Sequence, residues 1–382
     1  MTYEEIIEKT KELVKIESTI DNQKGLWTAV DAYQALLTDK RITIERFEQN
    51  NVPSFLAYIG PKRPEQFDVL FNAHVDSVVG RPEEFIPRIE GNRFYGRGVY
   101  DMKMAALIMT DVFRRFAPTS NMVFGLQIVS DEEVGGYDGV KIQLEQGVAT
   151  DFVISGEMTD LGVCNETRGV CWVEVGFKGR SAHSGYAWDG HNAVTRASDF
   201  VRALGDKFPI PEKKAWVTTA NIAAVTTNNA TFNRVPDVAQ VKVDFRFIPE
   251  DPHFKDEQSI HDFIKTLDPT ADVLNIPVFD QAVYVEPQNP YLLEFLHSFA
   301  EATGQVPTPI KRYASSDMRH FAQRHMSAIE FGLRGKNLHA DNEYVDLTSV
   351  MPFKDTLEHF IHNMARKKSQ HLDKRTPTTF AR

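Results

Sequence analysis

Cysteine is scarce in this sequence, and long apolar runs are missing. The 382 residues contain two cysteines, Cys164 and Cys171, which do not form a C-x-x-C motif. We therefore expect two reduced thiols rather than a disulfide framework. No apolar run approaches the roughly 20 residues of a membrane helix, and the acidic start MTYEEIIEKT lacks the apolar region of a secretion signal. These absences predict a cytoplasmic protein with no membrane segment.

Positive charge is also in deficit. The formal net charge is −10, which argues against non-specific nucleic-acid binding because such binding needs a basic surface. The tail ARKKSQHLDKRTPTTFAR, residues 365–382, is basic and polar, and we expect it to be solvated and loosely ordered. The composition is otherwise that of a globular protein, and the length favours two or three domains.

Strands alternate with helices in the first part of the chain. Strands are predicted at 55–59, 68–73, 122–129 and from Asp151 to Ile154, and a helix from Met102 to Phe116. Amphipathic helices are also predicted in the first 40 residues, where apolar side chains recur at helical spacing. This alternation predicts an α/β fold, with a sheet flanked by helices.

The pattern changes near Arg168. From there to about Ile276, the strand-like stretches VCWVEVGF, AWVTTANIAAVT and VAQVKVDFRF accompany one helix, Asn192 to Leu204. A helical pattern then returns, and the last helix is predicted at about 350–365. The sequence therefore predicts an α/β domain formed by 1–167 and 285–382, interrupted by a smaller α+β domain at 168–284.

Acidic residues or histidines follow three of the predicted strands directly. Ligands of open α/β sheets bind outside the carboxyl ends of the strands, so we expect these side chains to surround one crevice. The set consists of His74 and Asp76, the acidic run 131–133, and Glu157, to which we add Asp101 in GRGVYDMK and His339 in LHADNEYV.

Such a concentration of carboxylates indicates a cation site. Clustered carboxylates repel one another unless a cation compensates them, and histidine with Asp and Glu suits zinc, cobalt or manganese. The set exceeds what one tetrahedral zinc needs and fits two metals about 3.5–4 Å apart with one bridging carboxylate. Asp101, Glu133, Glu157 and a bridging hydroxide would balance two divalent ions, which leaves Glu132 free to act as a base.

Seven motifs in this order resemble those of a known family. They lie between residues 72 and 345 and read AHVDSV, GRGVYDMKMA, SDEEVGG, ISGEMTD, GRSAHSG, FNRVPDVAQVKVDFR and LHADNEYV. The chain resembles the dinuclear-zinc family of aminoacylases, acetylornithine deacetylases, succinyl-diaminopimelate desuccinylases and glutamate carboxypeptidases. The resemblance implies a zinc-peptidase-like catalytic domain with a mixed sheet, and a lid and dimerisation domain at 168–284.

The resemblance also assigns the metal ligands. It implies that His74 and Glu157 bind one metal, that Glu133 and His339 bind the other, and that Asp101 bridges both. The metals would be two zinc ions, with cobalt and manganese as alternatives.

Further roles follow from the same resemblance. Asp76 would orient the ring of His74, and Glu132 would serve as general base and acid. In the lid, His183 and Asn233 would reach the active site of a neighbouring subunit in a homodimer and stabilise the oxyanion.

The substrate would be held by residues from several parts of the chain. Arg246 would bind the substrate carboxylate. The stretch that lines the substrate would contain Ser315, Ser316, Asp317 and Gly332.

The predicted reaction is hydrolysis of the amide bond of a small N-acyl amino acid, as in succinyl-diaminopimelate desuccinylase. Glu157, where many peptidases of the family have aspartate, favours a deacylase, and AHSGYAWDGHNA is closer to the desuccinylases. The alternatives are an acetylornithine deacetylase or aminoacylase, a metallo-dipeptidase or carboxypeptidase acting on a short peptide, and a non-catalytic peptide-binding relative. The sequence contains no phosphate loop and no G-x-S-x-G elbow.

Overall fold

The structure, a computed structural model, describes residues 1–373. It divides into two compact units. The first consists of Met1–Asn165, Tyr284–Lys311 and the chain from Ser316 onward, and the second of Glu166–Val283 and Arg312–Ser315. The rest of the basic tail, residues 374–382, lies outside the described residues.

The helices and strands are numbered in chain order. The α-helices are α1 (Tyr3–Val14), α2 (Gln23–Gln34), α3 (Met104–Phe116), α4 (Val140–Glu145), α5 (Ala193–Lys207), α6 (Glu257–Leu267), α7 (Pro290–Thr303), α8 (Met318–Ala322) and α9 (Val350–Asp373). The strands are β1 (Ile42–Gln49), β2 (Val52–Ile59), β3 (Val69–His74), β4 (Arg88–Glu90), β5 (Arg93–Tyr95), β6 (Phe124–Val129), β7 (Phe152–Ser155), β8 (Val163–Thr167), β9 (Gly169–Lys178), β10 (Thr219–Thr227), β11 (Val238–Phe247), β12 (Asp272–Asp280), β13 (Pro309–Arg312), β14 (Ser327–Glu330), β15 (Gly335–Lys336) and β16 (Tyr344–Asp346).

The main sheet is mixed and has eight strands in the order β1-β2-β6-β3-β7-β14-β8-β13. Strand β3 pairs in parallel with β6 and β7, and β14 pairs in parallel with β7. Every residue of β3, β6 and β7 is buried, as expected for central parallel strands covered on both faces. This explains why their sequences are mainly apolar, with Asn72, His74, Gln127 and Ser155 as the polar exceptions.

Helices of the first unit pack on this sheet through one hydrophobic core. Helix α1 begins at a capping box, in which the Thr2 hydroxyl accepts the Glu5 amide and the Glu5 carboxylate accepts the Thr2 amide. Helix α3 is buried from Met104 through Phe113, so it contacts the core on all sides. A second, small sheet of this unit has the order β15-β16-β5-β4.

Two predicted helix ends are wrong. Helix α3 begins at Met104 rather than Met102, because Val99–Lys103 forms a separate turn in which Asp101 has φ −120° and ψ 92°. Helix α9 continues to Asp373 instead of ending near 365, so the first part of the basic tail is helical. There Lys367 and Lys368 form ion pairs with acidic groups of the first unit.

The second unit is an antiparallel sheet of order β10-β11-β9-β12 with two helices. Burial alternates along β11, with the residues from Ala239 to Phe247 in odd positions buried and their neighbours more exposed. Helices α5 and α6 cover the buried side. The face of this sheet that packs against the helices is therefore apolar, and the opposite face carries Asp244 and Arg246.

The predicted α/β class, with a mixed sheet flanked by helices, is confirmed. No helix within residues 1–373 is long and apolar enough to cross a bilayer.

Candidate metal centre

Three neighbouring strands deliver polar side chains to the same edge of the main sheet. Strand β3 ends at His74, and β6, its parallel partner, runs into the short helical turn Glu132–Val134. On the other side of β3, β7 ends at Ser155, two residues before Glu157. The carboxyl ends of adjacent parallel strands lie side by side, so the sheet topology itself gathers these residues.

Asp101 lies between two histidines. The Nε2 atom of His74 is 2.8 Å from Asp101 Oδ1, and the Nε2 atom of His339 is 3.2 Å from Asp101 Oδ2. Each histidine thus contacts a different oxygen of one carboxylate. This is the arrangement that a bridging carboxylate needs.

Two donor groups share Asp101. One is His74, Asp101 and Glu157, all buried, and the other is Asp101, Glu133 and His339; within each group the ligand atoms lie within 4.8 Å of one another. His74 Nε2 is 3.8 Å from Glu157 Oε1, and His339 Nε2 is 2.9 Å from Glu133 Oε2. Zinc bonds of about 2.0–2.1 Å place two tetrahedral ligand atoms about 3.3 Å apart. The observed separations fall on both sides of that value, so the residues fit two divalent ions.

The histidine pKa values reflect how strongly the site attracts positive charge. Hydrogen bonds to Asp101 and Glu133 raise the pKa of His339 to about 10. Burial opposes the charged form of His74, but Asp101 and Asp76 outweigh burial and raise its pKa well above the usual value. A divalent cation is attracted by the same negative charges, and it displaces protons from such donors when it binds. The chemistry of the donor set therefore also fits a metal.

Glu132 lies beside this set and contributes to neither donor group. Burial, and next the charge of Glu157, raise the pKa of Glu132 well above its usual range. A carboxylate with a raised pKa accepts a proton more readily near neutral pH than an exposed one.

Helix α8 anchors the turn that carries Glu132. The Arg319 guanidinium donates to the Gly135 carbonyl oxygen at 2.6 Å, and His320 Nε2 lies 2.8 Å from the same oxygen. Burial, with a further contribution from Arg319, lowers the pKa of His320 to about 3, so the ring is neutral and donates from Nε2. The turn therefore has two fixed hydrogen-bond partners.

Asp76 links the two halves of the centre. It is buried, its Oδ1 lies 3.3 Å from His74 Nδ1, and its Oδ2 accepts the Glu133 amide at 3.1 Å. One carboxylate therefore sets the direction of the His74 ring and holds the backbone of Glu133.

We expect Asp76→Ala to lower metal affinity by about 10–100-fold, the usual effect of losing a group that orients a ligand. Metal retained after dialysis against buffered metal would measure this, with Asp21→Ala, an exposed position, as the control. Unchanged metal affinity in a folded variant would contradict the role of Asp76.

The residues predicted to line the substrate lie in different surroundings. Ser316 is buried, and its hydroxyl donates to Glu330 at 2.5 Å, while Ser315 belongs to the second unit. A Cβ at Gly332 would lie 2.1 Å from the Glu157 carbonyl oxygen. The absence of a side chain at Gly332 thus permits close packing against the backbone of Glu157, a candidate metal ligand.

The lid residues lie in the second unit. His183 pairs with Arg234 in an isolated β-bridge, and the Asn233 carbonyl accepts the Ser184 amide at 2.9 Å. The structure thus brings His183 and Asn233 into adjacent segments, both exposed. Arg246 pairs with Asp244 on its own strand at 3.0 Å. Their predicted roles stay predictions.

Glu343 is a further residue of the site, and its position in the sequence did not mark it as one. This buried carboxylate lies four residues after His339 and accepts backbone amides next to Asp101. Its only signal in the sequence is an acidic residue within LHADNEYV, which is ordinary for a solvated loop.

The geometry is that of a candidate dinuclear centre in a metal-dependent hydrolase. A protein-family profile described as Peptidase family M20/M25/M40 matches residues 70–363, well over half of the chain. The chain belongs to this family.

Curated relatives of this chain include two kinds of enzyme. The succinyl-diaminopimelate desuccinylase of Orientia tsutsugamushi (strain Ikeda) is 27% identical over 375 residues, which cover 89% of this chain and 91% of the relative. Carboxypeptidase G2 of Pseudomonas sp. (strain RS-16) is 24% identical over 372 residues, covering 90% of this chain and 86% of the relative.

Solved structures share the fold. Aminopeptidase PepT from Bacillus cereus ATCC 10987 superposes with a TM-score of 0.74 at 18% identity, covering 96% of this chain and 99% of that chain. The Bacillus subtilis YXEP protein, described as a dinuclear metal binding peptidase from the M20 family, superposes with a TM-score of 0.66 at 14% identity, covering 95% and 98%.

Proposed function

We propose that this protein hydrolyses the amide bond of a small N-acyl amino acid with the help of two divalent metal ions. The observation that carries the proposal is Asp101, whose two oxygens face His74 and His339. Glu132 lies close enough for the charges of Glu157 and His74 to act on its carboxyl group. Membership of the peptidase family supports the hydrolytic reaction.

The metal ligands are proposed as the two donor groups. His74 and Glu157 would hold one ion, Glu133 and His339 the other, and Asp101 both. Zinc is the first choice, and cobalt and manganese suit the same ligands. When bound, such ions lower the pKa of a bound water and polarise a carbonyl oxygen.

Glu132 is proposed as the general base and then the general acid. Its carboxylate would take a proton from the attacking water and deliver it to the nitrogen of the leaving amine. Burial, and next the charge of Glu157, raise its pKa, which favours Glu132 as a proton acceptor. Asp76 would hold the His74 ring and the Glu133 amide in place throughout.

The second unit is proposed as a lid that also forms a homodimer. In the dimer, His183 and Asn233 would reach the active site of the neighbouring subunit and stabilise the oxyanion. Their adjacent placement within the unit supports a joint role. Arg246 would bind the substrate carboxylate, with Ser315, Ser316 and Gly332 also near the substrate. We also propose that the protein acts in the cytoplasm.

An N-succinyl amino acid, as in succinyl-diaminopimelate, is the proposed substrate. Several curated relatives with that name cover most of the chain and support this choice. N-acetyl amino acids, including acetylornithine, are the second choice. Carboxypeptidase G2 among the relatives supports a peptidase as the competing proposal. A non-catalytic relative is disfavoured, because Glu132 and all five proposed ligands are present.

A substrate panel tests the proposal. The zinc-loaded protein would be incubated with N-succinyl-diaminopimelate, N-acetylornithine, several N-acetyl amino acids and a few dipeptides, and release of free amine measured. We expect the succinyl compound to give the highest kcat/KM. Preference for a dipeptide would move the protein to the peptidase branch, and release from none would contradict the proposed substrates.

We expect His183→Ala to lower kcat by about 10²–10³-fold, the effect of losing one oxyanion donor. Metal content should not change. The matched control is His191→Ala, an exposed histidine of the same unit, and sedimentation would show whether both variants are dimers. Unchanged kcat in a dimeric His183→Ala protein would contradict the role of His183.

A further inference from the structure

Glu343 joins the loop of the bridging carboxylate to the loop of His339. Its Oε1 accepts the amides of Tyr100 at 2.9 Å and Asp101 at 3.3 Å. Its Oε2 accepts the amide of Gly98 at 3.0 Å and lies 3.2 Å from Arg97 Nη1. The side chain is 2% exposed. One buried carboxylate therefore receives three backbone amides from the turn that presents Asp101.

This turn directs several backbone amides at one carboxylate. Gly98 has φ +72°, and its amide donates to Glu343 Oε2, whereas the amides of Tyr100 and Asp101 donate to Oε1. Backbone amides grouped in a turn can bind an anion. In this protein the anion is a side chain, supplied from more than 240 residues further along the chain.

The need to neutralise the charge of Arg97 does not by itself explain why the Glu343 carboxylate is buried at this position. The other terminal nitrogen of Arg97, Nη2, already contacts Glu84 Oε1 at 2.9 Å. Backbone pairing also aligns the two loops, since β5 leads into the Asp101 turn and β16 follows Glu343, and the Gly96 amide donates to the Glu343 carbonyl at 3.1 Å. The side chain adds the contacts that reach Asp101 itself.

We propose that Glu343 is a positioning residue that fixes Asp101 relative to the His339 loop and thereby sets the affinity of the metal bound there. The inference rests on the proposed dinuclear site. His339 depends on this link more than His74 does, because His74 ends a buried central strand, whereas the His339 side chain is 46% exposed and follows a loop.

Amide exchange of the metal-free protein tests the contacts directly. We expect Glu343→Ala to speed exchange at Gly98, Tyr100 and Asp101 by roughly 10-fold or more, as loss of a charged hydrogen-bond acceptor implies. Exchange in β3 and β6 should stay as in the wild type. Unchanged exchange at the three amides, or faster exchange spread equally over the core strands, would overturn the proposal.

Metal titration tests the consequence. We expect Glu343→Ala to weaken the affinity for the metal held by Glu133 and His339 by about 10–100-fold. The affinity for the metal held by His74 and Glu157 should stay within a few-fold of the wild-type value. The matched control is Asp341→Asn, an exposed carboxylate on the same loop that pairs with Arg81 at 3.0 Å; it should change neither measurement. Equal loss of both metals in Glu343→Ala, or loss of neither, would overturn the role.

Glu343→Gln keeps one acceptor oxygen at the same place, and we expect intermediate exchange and intermediate affinity. If Glu343→Ala does not fold, the same two measurements on Glu343→Gln decide, and wild-type values there would overturn the proposal. A wild-type protein that binds no metal would instead overturn the proposed function. If the wild type binds two metals and the Glu343 variants show the same amide exchange and metal affinity as the wild type, only this inference is overturned.

Discussion

Replacing Glu132 with glutamine is expected to reduce kcat by roughly 10³-fold or more. A single general acid–base group typically contributes about 10²–10⁴-fold. Glutamine has the shape of glutamate but accepts no proton at neutral pH, so both proposed transfers fail. The metal ligands are untouched, because Glu132 belongs to neither donor group. We therefore expect two metals to stay bound.

The comparison needs turnover and metal content from the same preparation. Steady-state kinetics on the best substrate of the panel would give kcat, and elemental analysis the metals per chain. Glu145→Gln makes the same chemical change at the exposed end of α4 and should leave both unchanged. Substantial residual activity in Glu132→Gln, or loss of its metals, would mean that Glu132 is not the base.

The main sheet could be predicted because its signal is local. Strands β3, β6 and β7 are short and mainly apolar, which is typical of parallel strands buried on both faces. The helix ends could not be predicted, because they depend on distant partners. Helix α3 starts late because the turn before it binds Glu343, and the last turns of α9 carry Lys368, which contacts Asp68 at 2.5 Å.

The residues of the candidate site also divide into those with a local signal in the sequence and those that depend on distant partners. His74, Glu132 and Glu157 follow predicted strands, so a rule about strand ends places them together. His339 follows no strand end of the main sheet, and with 12 histidines in the chain it is a weak candidate until the family resemblance supports it. Glu343 had only the weak signal of an acidic residue in LHADNEYV, since its burial arises only when the turn before α3 closes around it.

Asp101→Asn is expected to remove tight binding of both metals, whereas His339→Ala is expected to remove only one. An amide in place of Asp101 removes the negative charge and leaves one oxygen where two are needed. Since Asp101 belongs to both donor groups and His339 to one, the number of metals lost reports the bridging role. Metal binding at either site should weaken by more than the roughly 10–100-fold that follows loss of an orienting group.

Thermal unfolding with and without zinc adds a measurement that does not depend on turnover. A ligand that binds only the folded state stabilises it, by about 2.7 kcal/mol at a concentration of 100 Kd. Each zinc ion bound at that concentration should therefore raise the Tm of the wild type by about 3 °C. Zinc should raise the Tm of His339→Ala less and leave that of Asp101→Asn unchanged. If Asp101→Asn still gained the wild-type shift in Tm, the two ions would not share this carboxylate. The donor groups would then have to be two independent sites, and the proposed joint attack on one amide bond would lose its structural basis.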